Sequence, residues 1–272
     1  MDDRGYFDDR SAIRQVMRER AVALSGPRAL LMQAAHPLAV AGLLAHSDSL
    51  SDPYERLART AQVMDTITFG SRGEADRLTR RVRAMHRAVS GRLPDAVGRY
   101  PAGTPYRADD PLLLLWILYT LVDSASVVYR TYVGRLSDPR RAALWQDYRI
   151  VGRLFGLRDA EMPATVAELD AYGDAMLSGD EIHVGNWARR RARAIVLEPP
   201  VPALARPLLE TVNFITIALL PARIRSEYAF APLPPATVRK ALVNAGALYV
   251  RRGVLPVLPA HIRQVPSARQ AA

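Results

Sequence analysis

The chain has 272 residues, 49% of them hydrophobic and 24% charged, which gives enough apolar material for a large buried core and excludes a disordered chain. It holds no cysteine, so disulfides, iron–sulfur clusters and thiolate-bound metals are excluded. The net charge is +10, and of the 37 basic residues only Lys240 is a lysine. Arginine pairs with carboxylates, phosphates and anionic lipid through its planar fork. The arginines are spread along the whole chain without a helix-turn-helix or zinc pattern, so a small-molecule partner is expected rather than nucleic acid.

The N-terminal stretch MDDRGYFDDRSAIR is charged and lacks the apolar segment of a secretion signal, so a cytoplasmic protein is expected. Helical periodicity predicts a first helix over residues 11–24, broken at Gly26-Pro27. A second, Ala- and Leu-rich helix spans 28–45, bent near Pro37 because proline removes a backbone hydrogen bond. Ser51-Asp52-Pro53 reads as an N-cap with proline in the first turn, opening a helix that runs to Phe69 and stops at Gly70. Residues 74–90 form the next helix, closed by Gly91, and 92–110 read as a long loop rich in proline and glycine.

Further helices are predicted over 111–132, 138–155, 165–177, 208–220 and 236–251, with a loosely held tail after Pro256. No strand and no internal repeat stands out. The most apolar stretches, 111–122 and 214–220, are shorter than the ~20 residues of a membrane span and read as core helices. Peripheral contact with a membrane surface stays open. The expectation is a single all-α domain.

The five histidines are His36, His46, His86, His183 and His261, and none forms a His-x-His or His-Glu-x-x-His pair. No P-loop, nucleophile elbow or dinucleotide fingerprint is present. On the helix over 74–90, Leu78, Val82, Met85 and Val89 make an apolar stripe, and His86 lies on its flank, four residues after Val82. Such a histidine is either a hydrogen-bonded core residue or a ligand. On the helix after Pro53, the residues Arg56, Arg59, Thr60 and Val63 share a face. That face is either a solvated edge or a polar wall able to bind a carboxylate, a substrate anion or oxygen. His36 sits among apolar neighbours in QAAHPLAVAG. Its first reading is a structural histidine that needs a hydrogen-bond partner, and pocket lining comes next.

The order LLMQAAHPLAVAG, DPYERLARTAQVMDTITFG, MHRAVSG, YRADDPLLLLW and LLPARIRSEY resembles the MpaB / rubber-oxygenase (latex clearing protein) catalytic-domain family, over residues 28–228. The resemblance implies an all-α fold with a globin-like core around haem b, an iron cofactor, and oxidative cleavage of carbon–carbon double bonds in isoprenoid chains. It makes His86 the protein's iron ligand. It sets Arg56, Arg59 and Thr60 on the other side of the haem, as cofactor-binding residues.

Two departures stand out. The second basic position, a lysine in latex clearing proteins, is Arg59 here, which stays protonated and is a poor ligand. The glutamate that those enzymes use as a base has no counterpart, because residues 28–45 contain no Asp or Glu. Polymer cleavage by that route is therefore not expected. The resemblance implies instead a haem b oxygenase-type oxidoreductase using dioxygen or peroxide on a small apolar or amphipathic molecule. Arg59 and Thr60 would stabilise developing negative charge, and His36 would move a proton near neutral pH. Two alternatives share the cofactor or the pocket: a haem oxidase, dehydrogenase or peroxidase of a biosynthetic pathway, and a non-catalytic haem- or lipid-binding helical protein.

Overall fold

Local signals set most helix ends in the computed structural model, which describes residues 4–45, 53–198, 202–230 and 236–270. Helix α1 (Ala12–Met17) passes into a 3₁₀ turn, Arg20–Leu24. Helix α2 (Ser25–Ala34) takes Pro27 in its first turn, where a missing amide hydrogen costs little. Helix α3 (Pro37–Ala45) starts anew after Ala35 and His36, so proline divides the expected 28–45 helix in two.

Helices α4 (Pro53–Phe69) and α5 (Arg72–Ala88) form a tight hairpin. Its turn is fixed by a reciprocal cap: the Glu74 carboxylate accepts from the Ser71 backbone N–H at 2.9 Å, and Ser71 Oγ accepts from the Glu74 N–H. The expected loop then folds back as a small antiparallel pair, β1 (Ser90–Arg92) and β2 (Pro105–Arg107), with Gly91 opposite Tyr106. The absence of strands expected from the sequence is thus corrected. A side chain at Gly91 would meet the Tyr106 hydroxyl at 2.5 Å, so glycine lets the ring close over the strand.

Helix α6 (Pro111–Val128) is capped by the Asp110 side chain, which accepts from the Leu112 N–H at 2.8 Å, and continues through a π-helical turn, Tyr129–Val133. The apolar run from Pro111 to Val133 is therefore 23 residues, longer than the stretch expected from the sequence and long enough to cross a membrane by length and composition. Two-thirds of its most apolar 18-residue stretch is buried inside the protein, where it packs along α2 as the central helix.

Helix α7 (Asp138–Phe155) ends on Gly156 in the left-handed conformation, φ 106°. Helices α8 (Val166–Ser178), α9 (Asn186–Leu197), α10 (Arg206–Leu219) and α11 (Ala222–Glu227) follow. Helix α12 (Ala236–Tyr249) runs into a π-helical turn, Val250–Val254.

The tail is not loose. Its short helices α13 (Ala260–Arg263) and α14 (Pro266–Gln270) are tied to the other end of the chain. The Val265 N–H donates to the Arg18 carbonyl, and Ser267 Oγ donates to Asp65 at 2.6 Å. The core gathers Ile13, Val16, Leu31, Met32, Ile67, Trp116, Leu144, Trp145, Tyr148, Ile224 and Tyr228, drawn from α1, α2, α4, α6, α7 and α11.

Candidate functional site

The α4/α5 hairpin carries the residues expected to hold a cofactor. Helix α5 buries Ala75 and Thr79, and Val82 and His86 follow them at helical spacing. The inward stripe is therefore Ala75–Thr79–Val82–His86, one step round from the stripe expected over Leu78, Val82, Met85 and Val89. Met85 is in fact 56% exposed, because α5 is flanked by α4 and α7 and neither covers that edge. His86 itself is half-buried, and its Nδ1 is shielded from solvent.

The facing stripe of α4 behaves the same way. Met64, Ile67 and Thr68 are buried near the hairpin turn. Thr60, four residues before Met64 on the same face, is exposed, as is Arg59 beside it. Arg56 lies one turn earlier in α4, and its side chain lies outside the described residues. At ~1.5 Å per residue, His86 stands about 21 Å along α5 from its first residue and Arg56 about 20 Å back along α4 from its last, so the two are level. Both inward faces thus run from packed at the turn to uncovered at the mouth. The mouth holds one imidazole, one threonine and two arginine positions.

Helix α3 approaches this mouth from the side. Next to Gly42, the Val89 side chain and the Tyr106 ring come to 3.6 Å from where a Cβ would sit. The apolar cluster of Ala41, Leu93 and Tyr106, with Leu38 and Tyr100 against it, holds α3 on the strand pair.

His36 closes the junction between α2 and α3 and is 5% exposed. Its Nδ1 accepts from the Leu38 backbone N–H at 3.3 Å, which places the ring proton on Nε2. Nε2 lies 3.4 Å from the Tyr100 hydroxyl, and that hydroxyl in turn donates to the Glu181 carboxylate. Arg99 completes the chain, 2.5 Å from the other Glu181 oxygen. Burial pushes the His36 pKa down to about 4 against the pull of Glu181 and Asp110, so the ring is neutral at pH 7. Both ring nitrogens are engaged, Nδ1 with the Leu38 amide and Nε2 near the Tyr100 hydroxyl.

Several polar residues that hold this region together were not singled out from the sequence. Arg28 is 3% exposed; it pairs with Asp123 at 2.8 Å and donates to Ser124 Oγ at 2.6 Å and to the Leu219 carbonyl. It joins α2, α6 and the end of α10. Glu227 accepts from the Val184 N–H at 3.0 Å and faces His183 Nδ1 at 3.4 Å and Arg223 at 3.1 Å. Arg189, the first of the basic run at 189–191, donates to the Glu227 and Val184 carbonyls, while Arg190 and Arg191 are exposed.

A crevice of about 950 Å³ lies among Arg4, Tyr6, Asp8, Arg14, Asp65 and Arg72. It sits at the closed end of the α4/α5 hairpin, away from His86, and is lined by none of the expected site residues. No cluster of three or more His, Cys, Asp or Glu side chains suited to a metal ion occurs among the described residues.

The description "ER-bound oxygenase mpaB/B′/Rubber oxygenase, catalytic domain" matches residues 13–252, most of the chain. The chain belongs to this family. It carries an oxygenase-family catalytic domain, and the resemblance seen in the motifs around His36, Arg59 and His86 is shown. Two uncharacterised mycobacterial proteins, from Mycobacterium bovis and Mycobacterium tuberculosis, are each 26% identical over 174 residues, or 60% of this chain. The chain spans 63% of the length of these curated relatives. No solved structure matches it.

Proposed function

We propose that this member of the oxygenase family is a haem b-dependent oxidoreductase acting on a small apolar or amphipathic substrate, with His86 as the iron's protein ligand. The observation that carries the reading is the shape of the α4/α5 mouth. His86 ends an inward stripe whose other members are packed, and Thr60 ends the facing one.

The residues present fit the group. The His86 imidazole would hold the iron, and the cysteine alternative does not exist in this chain. Arg56 and Arg59 suit the two propionates through paired N–H···O contacts. The chemistry that a bound haem b supplies is oxidative activation of dioxygen or peroxide. This chain's residues supply the setting. Arg59, a guanidinium with donors and no acceptor, would donate hydrogen bonds rather than hold the metal. Thr60 both donates and accepts. Val63 and Val89, both half-buried, would favour an apolar substrate over water. A carboxylate base is absent from α2 and α3, and His36 is neutral and engaged. The reading is therefore an oxidation that takes no base from those two helices, unlike the isoprenoid-cleaving route.

The test is an absorption spectrum of the purified, haem-supplemented protein, oxidised and reduced. A Soret band with one haem per chain is expected, and His86→Ala should abolish it while the circular dichroism spectrum is unchanged. Absence of the band in the wild type sinks the reading. A band of full intensity and unchanged position in His86→Ala removes His86 as ligand.

A further inference from the structure

We propose that the outward face of α12 and the turn after it are a docking surface for an anionic phospholipid bilayer. Helix α12 is apolar on both sides. One side packs on the core: Ala247 is buried with Val128 and Tyr132, and Val250 packs beside them. On the opposite side Val238, Leu242 and Tyr249 follow helical spacing and are 47%, 50% and 70% exposed. Leu248 flanks them at 49%, and beyond the helix Val257 and Ile262 are 75% and 45% exposed. An exposed helix face whose large side chains are apolar is an interaction surface.

Charge decides the occupant. From residue 228 to residue 272 the sequence holds five arginines and one lysine and no Asp or Glu. Arg252 is exposed at the end of the apolar face. Apolar side chains on an exposed helix face, with exposed Arg252 at its end and no acid in the same segment, match the boundary between acyl chains and anionic headgroups. Arg251 donates to the Arg130 carbonyl and Arg263 faces Glu19, whereas Arg252 is exposed, so a second copy of this chain would set like charge against like charge there, which charge complementarity disfavours. The inference does not rest on haem or on His86, so it stands or falls separately from the proposed function.

Flotation of the whole chain with vesicles tests it, using phosphatidylcholine alone or mixed with phosphatidylglycerol, at low and high salt. Binding is expected to the anionic vesicles only and to weaken with salt. Arg252→Glu should lower partitioning about fivefold or more, since each cation near an anionic surface contributes ~1 kcal/mol. Replacing Val238, Leu242 and Tyr249 together by serine should lower it at least about tenfold, from lost apolar burial. All four positions are exposed, so the variants should keep the wild-type circular dichroism spectrum and melting temperature. Equal binding to both vesicle types, or wild-type binding by the triple serine variant, overturns the proposal. So does a lack of binding accompanied by concentration-dependent self-association that the same substitutions abolish.

Discussion

Acidification offers a direct reading of the His36 network. The folded pKa is about 4, against 6.5 for the free side chain, because burial disfavours the charged ring. Between those values the unfolded chain binds a proton that the folded chain refuses. Stability contributed by the neutral ring is therefore full above pH 6.5, falls as the pH drops towards 4, and levels off below it. At ~1.4 kcal/mol per pH unit the full effect is about 3 kcal/mol, and going from about pH 7 to about pH 5 costs about 2 kcal/mol. That is a large part of a typical folding stability of ~5–15 kcal/mol. Glu181, Asp110 and Arg99 are the charged groups that act on the ring, the two acids raising its pKa and Arg99 lowering it.

The assay is urea unfolding followed by tryptophan fluorescence at both pH values, for wild type and His36→Gln. Glutamine cannot titrate, and comparing each protein with itself across pH cancels its constant loss of packing. The wild type should lose about 2 kcal/mol more than the variant, a midpoint difference of ~1 M urea for a slope near 2 kcal/mol/M. Equal losses in the two proteins would refute the depressed pKa and the burial argument beneath it.

Arg28→Met should destabilise the fold by roughly 3 kcal/mol, because it strands a mostly buried Asp123 and leaves the Leu219 carbonyl without its donor; a melting curve reads it. Gly173→Ala in α8 would place a methyl 2.2 Å from the Tyr119 hydroxyl and 2.4 Å from the ring carbon that bears it. A loss of about 1–3 kcal/mol is expected in chemical denaturation, with partial recovery when Tyr119→Phe removes the oxygen.

Much of the helical plan was legible because its signals are local. Asp110-Pro111, Ser137-Asp138-Pro139 and Gly156 mark helix ends through backbone chemistry that does not depend on distant residues. The strand pair was missed because its segments are three residues each and are held by α3 and Tyr106 rather than by β-propensity. Helix α9 is not legible in the sequence because it is rich in arginine, and the inward bond of Arg189 to the Glu227 carbonyl depends on a residue far along the chain.

Of the candidate site, the sequence by itself determined the residue types and their order: a histidine at the end of one helix, two arginines and a threonine near the start of another, and no cysteine to compete. Only the tertiary structure decided which way they face. Periodicity fixes which residues share a stripe, but the inward stripe is chosen by what packs against the helix. Here α4 and α7 flank α5, turning His86 into line with Ala75 and Thr79 and leaving Met85 out. The role of His36 was decided in the same way. Its partners lie 64 residues away at Tyr100, and beyond that at Glu181, so neither its neutrality nor its engagement was readable from its neighbours. Pairing across such separations is set by where the chain folds back, not by local sequence.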